Sequence, residues 1–318
     1  MPPLEMASRV GSLEGAPDPF DYYDQLGRRA RDDLVSILPD DWSFEGKRML
    51  DFGCGAGRTL RHFAPEAGQG EFWGCDIHAG SVEWMAANLT PPFHVFQNDE
   101  APPLDQPDGF FDLIWCVSVF THLTDTWSAW MLELRRVLAP DGLLIVTFMG
   151  EGMSEMIVGQ PWDGERVGMQ VLRLGQSWDL GGPMVLHSPW WIKEHWGRPF
   201  DVLEIRPDGF AVDPPIGQGS VLLRNNGKPI TQEELERVDP GDPRELRALQ
   251  HNLATMADEV TSLRRTSDWL EAQLAERDRA HEQLEQAHAD VVGSTSWRVT
   301  KPLRDAKRRV DERRGRDA

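Results

Sequence analysis

The run Met49-Leu50-Asp51-Phe52-Gly53-Cys54-Gly55-Ala56-Gly57 carries the densest chemical signal in the chain. An apolar strand passes an acidic residue and ends in three alternating glycines that open a helix. Glycines at such a place let the backbone approach a ligand closely. A plain strand-to-helix turn needs fewer of them. A dinucleotide loop reads G-x-G-x-x-G, with its last glycine where Arg58 stands; this chain reads G-x-G-x-G. Asp76 closes the next strand, 19 residues after Gly57. A carboxylate there can accept both hydroxyl hydrogens of a ribose.

More of the chain follows one pattern. An acidic residue two before G-x-G-x-G resembles motif I of the class I S-adenosylmethionine-dependent methyltransferases. Phe111-Asp112-Leu113-Ile114-Trp115-Cys116-Val117-Ser118-Val119-Phe120-Thr121-His122-Leu123 resembles the fourth-strand motif of that family. Glu133-Leu134-Arg135-Arg136-Val137-Leu138-Ala139-Pro140-Asp141-Gly142 resembles its following helix and turn. The resemblance covers Lys47 to about Arg224. A nicotinamide oxidoreductase is the runner-up on this fold. The resemblance implies that Gly53 and Gly55 face the methionine part of S-adenosylmethionine and that Asp51 orders that site. It places Asp76 on the ribose, Asn98 and Asp99 at the adenine edge, and Cys116 and Val117 along the fourth strand's end. Gly57 and Ile77 complete the expected cofactor set. The implied chemistry is methyl transfer from an electrophilic sulfonium. The enzyme then has to hold a nucleophile in line and, for a hydroxyl, remove a proton.

His122 is the first candidate for that proton. It sits just past the fourth strand, on the rim where substrate belongs, and imidazole titrates near neutral pH. Asp125 and His187 are lesser candidates. No metal constellation is visible. Arg28, Arg29 and Arg58 read as solvated helix charges rather than anion partners.

The elements that must position these residues alternate regularly. Strands are expected at 47–52, 71–77, 93–98, 111–119 and 142–148, and helices at 18–38, 58–67, 81–89 and 126–138. Asp18 can cap the first helix and Pro19 suits its first position, with Phe20, Tyr23, Leu26, Leu34, Ile37 and Leu38 on an apolar face. Two further strands, 200–205 and 219–224, suit an antiparallel hairpin on the sheet's edge. The pattern predicts an α/β, doubly wound, Rossmann-like, mostly parallel seven-stranded sheet. Residues 1–46 form an N-terminal helical cap, 47–226 the main domain, and 150–187 an insertion or lid. A short helix is expected at 188–196.

The composition shifts after Asn226 toward Glu, Arg, Gln, Ala and Leu. Residues 227–242 read as a linker, broken by Asp239 to Pro243. From Pro243 a heptad holds, with Leu246, Leu253 and Val260 at a and Leu249, Met256, Leu263 and Leu270 at d. Leu274, Leu284 and Val291 continue it, and Ser267, Arg277, His281 and His288 weaken it. Residues 243–293 are therefore expected to be a coiled coil, joining two or three copies through 246–291. Residues 294–318 form a basic amphipathic tail. Ser294-Thr295-Ser296-Trp297-Arg298-Val299-Thr300-Lys301-Pro302-Leu303-Arg304 resembles a terminal segment of bacterial glycosyltransferases and methyltransferases of surface-polysaccharide assembly.

Charge and composition exclude other classes. The net charge is −19, yet the segment from Arg298 onward carries +5 against −24 for the rest. An acidic body argues against a nucleic-acid substrate. The basic tail suits an anionic membrane surface, through 297–316. No apolar run approaches the roughly 20 residues of a membrane span, and the opening MPPLEMASRV is not expected to act as a secretory signal. Three cysteines, Cys54, Cys75 and Cys116, argue for a reducing compartment. The expectation is a cytoplasmic methyltransferase, at the inner face of the membrane, that O-methylates a sugar hydroxyl of a bacterial surface glycan or its precursor. A glycosyltransferase is an expected partner. The alternatives are a small-molecule (secondary-metabolite) methyltransferase and a non-catalytic coiled-coil scaffold for glycosyltransferases.

Overall fold

The computed structural model describes residues 1–9, 13, 16–159, 161–177 and 181–314. The strands are β1 (Arg48–Phe52), β2 (Glu71–Asp76), β3 (His94–Gln97), β4 (Phe111–Cys116), β5 (Leu138–Phe148), β6 (Met169–Leu172), β7 (Met184–His187), β8 (Phe200–Phe210) and β9 (Gln218–Asn225). Seven of them form one sheet in the order β3-β2-β1-β4-β5-β9-β8. The first five run parallel, while β9 is antiparallel to β5 and β8 to β9, forming the edge hairpin that the sequence suggests. Strand order reverses between β1 and β4, which opens a crevice at their carboxyl ends.

Side chains alternate across the pleat and build a core on each face. Leu50, Ile114, Cys116, Leu144 and Val146 pack on one side and Met49, Phe72, Leu113, Trp115 and Ile145 on the other. The helices are α1 (Leu4–Ser8), α2 (Pro19–Ser36), α3 (Ala79–Asn88), α4 (Trp127–Val137), α5 (Glu151–Val158), α6 (Pro189–His195), α7 (Gln232–Glu236), α8 (Pro243–Gly293), α9 (Thr295–Val299) and α10 (Lys301–Arg314). Helix α4 adds Trp127, Trp130, Met131 and Leu134 to the first core, and α2 adds Ala30 and Leu34 to the second.

Asp18 caps α2 by accepting from the amides of Phe20 and Asp21. Its buried face keeps Tyr23, Leu34 and Ile37 of the expected one but departs from it at its start. Phe20 is exposed, and Gly27 lies between Tyr23 and Ala30 on the inner side. A Cβ at Gly27 would stand 2.2 Å from the Arg58 carbonyl, so only glycine lets the helix come this close. The helix expected over 58–67 shrinks to a 3-10 turn, Leu60–Phe63. Pro65 lacks the N–H that would carry it further.

Within 150–187, Gln160 and residues 178–180 lie outside the described residues. Helix α5 and the antiparallel pair β6–β7 occupy the rest. Strand β7 belongs to the core: Val185, Leu186 and His187 are buried. The amide of Val185 donates to the Thr121 carbonyl at 2.8 Å, and that of His187 to Met149 at 2.7 Å.

The 227–242 stretch is packed rather than open. Helix α7 has a capping box between Thr231 and Glu234, and Leu235 is fully buried. Gln232 donates to Ser128 of α4 at 3.1 Å, and Ser128 in turn to Glu236.

The chain divides into two compact units, Met1–Thr255 and Met256–Ala318. The first turns of α8 thus belong to the globular unit, where Glu245 and Ala248 are buried. Asn252 donates to the Met169 carbonyl at 2.7 Å and Gln170 to Thr255 at 3.2 Å. The expected seam is exposed along α8, with Leu246 at 60%, Leu253 at 68% and Leu263 at 62%. In the second unit Arg304 stacks 3.6 Å over Trp297 and donates to its carbonyl. Of the expected tail, residues 315–318 lie outside the described residues. No helix among the described residues is long and apolar enough to cross a membrane.

Candidate active site

The end of β1 is tied to the end of β2. The amides of Gly53 and Cys54 both donate to the Cys75 carbonyl at 2.9 Å. Gly53 is left-handed (φ +74°), and a Cβ there would come within 2.4 Å of Val119 just past β4. Both constraints demand glycine. The loop then meets the expected ribose carboxylate: Gly55 N–H donates to Asp76 Oδ2 at 2.7 Å. His78 N–H donates to Asp76 Oδ1 at 2.8 Å. A carboxylate oxygen has two lone pairs, so each can still accept from a diol.

Asp51 is buried behind the loop. Burial pushes its carboxyl up to about 7, with Asp76 adding to the shift and the Trp115 indole and Arg58 opposing it. Its Oδ2 makes no hydrogen bond of normal geometry. Asn98 sits at the end of β3, its amide nitrogen on the Asp99 carbonyl at 2.8 Å and its buried Oδ1 without a partner. Asp99 is exposed, and Ile77 is partly so, at 38%. Cys116 is buried and Val117 half-buried at the end of β4. The fold therefore brings Asp51, the three glycines and Asp76 together, with Asn98 and Cys116 on neighbouring strand ends. Among the described residues no group of three potential metal ligands occurs.

The base candidates part ways. His122 Nδ1 lies 2.7 Å from the Pro183 carbonyl, which can only accept, so Nδ1 carries a proton. Burial pushes the imidazole below its ordinary value. A neutral ring protonated at Nδ1 has its basic lone pair on Nε2. Asp125 is exposed and accepts from Thr124 Oγ1 at 3.0 Å, just ahead of α4. His187 is fully buried, with ring centroids 5.3 Å from Trp191 and 5.1 Å from Trp196. Burial pushes it down to about 3. That position is in the core and away from the rim, unlike the one expected from sequence.

Sequence reading missed a second layer. Arg61 binds the loop through Nε to the Gly57 carbonyl and Nη2 to Ala56, both at 2.9 Å. Its guanidinium lies 5.3 Å from the ring of buried Tyr23, whose hydroxyl burial pushes up to about 12. Arg58 is no solvated helix charge: it is half-buried, and burial pushes it down. The spacing of Arg61 four residues after Gly57 is the signal that points to it. A polar cluster of Ser118, Thr147 and Gln218 was missed as well, although Thr147 interrupts an otherwise apolar strand.

Residues 49–142 match the family model described as a methyltransferase domain. The chain is 38% identical over 103 residues to 2-methyl-6-phytyl-1,4-hydroquinone methyltransferase of Synechocystis sp., covering 32% of this chain and 31% of that protein. It is 31% identical over 139 residues to malonyl-[acyl-carrier protein] O-methyltransferase of Geobacter sulfurreducens, covering 43% and 51%. A solved S-adenosylmethionine-dependent methyltransferase from Mesorhizobium loti is 18% identical, covers 67% of this chain and 100% of its own, and has a TM-score of 0.48. The chain spans about a third to a half of the length of the curated relatives it matches. Glycine loop, Asp76, strand order and family match agree: residues 49–142 are similar to a methyltransferase domain and lie in a Rossmann-like α/β fold with a mostly parallel seven-stranded sheet.

Proposed function

We propose that this chain transfers the methyl group of S-adenosylmethionine to an oxygen nucleophile, a sugar hydroxyl of a bacterial surface glycan or its precursor. The observation that carries the cofactor half is the Gly55–Asp76 contact, which locks a diol-binding carboxylate onto a glycine cradle. The residues fit the cofactor in other ways. Two buried oxygens, Asp51 Oδ2 and Asn98 Oδ1, lack hydrogen-bond donors that an ammonium and an adenine amino group can provide. When bound, the cofactor supplies an electrophilic methyl group. Asp76 then holds the ribose, Asp51 orders the methionine end, and His122 Nε2 takes the acceptor's proton.

The glycan half rests on the segment from Ser294 to Arg304 and on the oxygen acceptor in the name of the malonyl relative. The hydroquinone in the name of the Synechocystis relative favours a second reading, a small-molecule (secondary-metabolite) acceptor. The intact loop and Asp76 speak against a catalytically dead scaffold. The exposed heptad of α8 supports a homodimer or trimer, and the basic tail supports contact with an anionic membrane, which would bring the enzyme beside lipid-linked glycans and glycosyltransferases. The test is methyl transfer from labelled S-adenosylmethionine to isolated lipid-linked saccharides. Label in the saccharide supports the reading. Label only in small lipophilic metabolites replaces it with the second.

A further inference from the structure

Just past β4, Ser118 adopts a left-handed backbone (φ +61°). That region is strained for a residue with a Cβ and persists only where surroundings impose it. The imposing groups are identifiable. Ser118 N–H donates to Thr147 Oγ1 on β5 at 2.7 Å. A backbone N–H can only donate, so the Thr147 proton goes elsewhere, to Gln218 Oε1 on β9 at 2.7 Å in preference to the Cys116 carbonyl at 3.5 Å. This orients the Gln218 amide, and its Nε2 donates back to Ser118 Oγ at 2.9 Å.

The circuit starts on the amide of Ser118 and returns to its hydroxyl. Ser118 Oγ is an acceptor in it, so the circuit does not use the hydroxyl hydrogen. Its other protein neighbour, Thr121 Oγ1, is 3.3 Å away, longer than the usual ~2.7–2.8 Å of such bonds. Hydrogen bonds in a chain polarise one another, which makes this hydroxyl a better donor. The position is apt: Val119, the next residue, presses on Gly53 of the cofactor loop, at the crevice where the strand order reverses. One turn on stands His122, with Nδ1 committed to Pro183.

We propose that Ser118 donates a hydrogen bond to an oxygen of the methyl acceptor, with Thr147 and Gln218 as its positioning residues. The inference rests on the methyl-transfer reading above and narrows its substrate class. The acceptor carries two neighbouring oxygens, one that gives its proton to His122 and is methylated, and one that accepts from Ser118. A vicinal diol has this chemistry; an isolated alcohol lacks the second oxygen.

The test uses the full chain, calorimetry with S-adenosylmethionine, and release of S-adenosylhomocysteine with methyl glycosides bearing a vicinal diol, each paired with its monodeoxy analogue. The wild type prefers the diol at least about tenfold, because a site built to hydrogen-bond an oxygen rejects the analogue without it. Ser118→Ala raises KM for the diol, abolishes that preference and changes cofactor affinity by no more than about twofold, since the lost bond is to the acceptor. Thr147→Val behaves like Ser118→Ala, and Thr147→Ser restores the preference, which a merely structural role does not explain. An unchanged preference in Ser118→Ala overturns the inference. So does a wild type that binds the cofactor but uses no diol, and there the cofactor reading stands. A wild type that binds no cofactor overturns both.

Discussion

The Nε2 of His195 on α6 and the Oε1 of Glu245 in the first turn of α8 lie 2.9 Å apart, both side chains buried. His195 Nδ1 faces the Leu235 carbonyl of α7 at 3.1 Å. One imidazole thus joins three helices, and since both its partners are acceptors, the pair keeps a proton between them. Burial already holds the imidazole below its ordinary value, so removing the carboxylate makes the ring give up that proton and leaves Nε2 buried without a partner. Glu245→Ala should destabilise the globular unit by about 1–3 kcal/mol in urea unfolding, the cost of a buried polar atom left unpaired. A loss below about 1 kcal/mol, the scale of an exposed pair, would show that the contact holds nothing.

The same packing decides where the chain can be cut. A version ending at Thr255 keeps Leu235, Glu245 and Ala248 in place and should remain a monomer that binds S-adenosylmethionine. Ending at Asn226 uncovers the surfaces these residues bury and should lower stability. The full chain should be a dimer or trimer, because the apolar a/d stripe from Leu246 to Leu274 is exposed on a single helix. Light scattering on the full chain and the Thr255 version checks this; a monomeric full chain at micromolar concentration contradicts it.

Asp51 makes cofactor affinity depend on pH. Its carboxyl rises from 3.8 to about 7 on folding. A raised carboxyl contributes stability that is complete below pH ~3.9 and is lost as pH climbs through the folded value. The folded chain should therefore lose stability between about pH 4 and 7, and Asp51→Asn should flatten this slope. An ammonium group beside Asp51 favours its charged form, so binding of S-adenosylmethionine near pH 7 should release a proton. Calorimetry in two buffers of different ionisation heat measures this release. No dependence on buffer would separate Asp51 from the methionine end.

His122 is the base in this account. His122→Ala should slow methyl transfer by about 10²–10⁴ with cofactor affinity nearly unchanged, as loss of a general base does. Turnover should rise with pH through an imidazole value below the ordinary one, since burial pushes it down. Normal turnover in the variant would return His122 to a structural role, in which its bond to Pro183 takes part.

Much of this is legible in the sequence. The glycine loop, Asp76 and the seven strands follow from local patterns: apolar runs of strand length, several of them ending in glycine, aspartate or asparagine. What the sequence hid depends on distant partners. The burial of His187 is set by Trp191 and Trp196, which approach it only in the folded chain. Arg58 looked solvated because nothing local shows that α2 lies against it at Gly27. The Ser118 circuit joins residues up to 100 positions apart, Ser118 and Gln218. The packed 227–242 stretch read as a linker because its anchors are single residues, such as Leu235, rather than a periodic face.

The central claim is that Asp76, fixed by Gly55, holds the cofactor's ribose. Calorimetric titration of the full chain and of Asp76→Ala with S-adenosylmethionine tests it most directly. Two charge-assisted hydrogen bonds, each worth roughly 1.5–3 kcal/mol, are lost in the variant. The account predicts saturable binding by the full chain and at least about tenfold weaker binding by Asp76→Ala with unchanged circular dichroism. Equal affinity in the two proteins, or no binding by either, would contradict it.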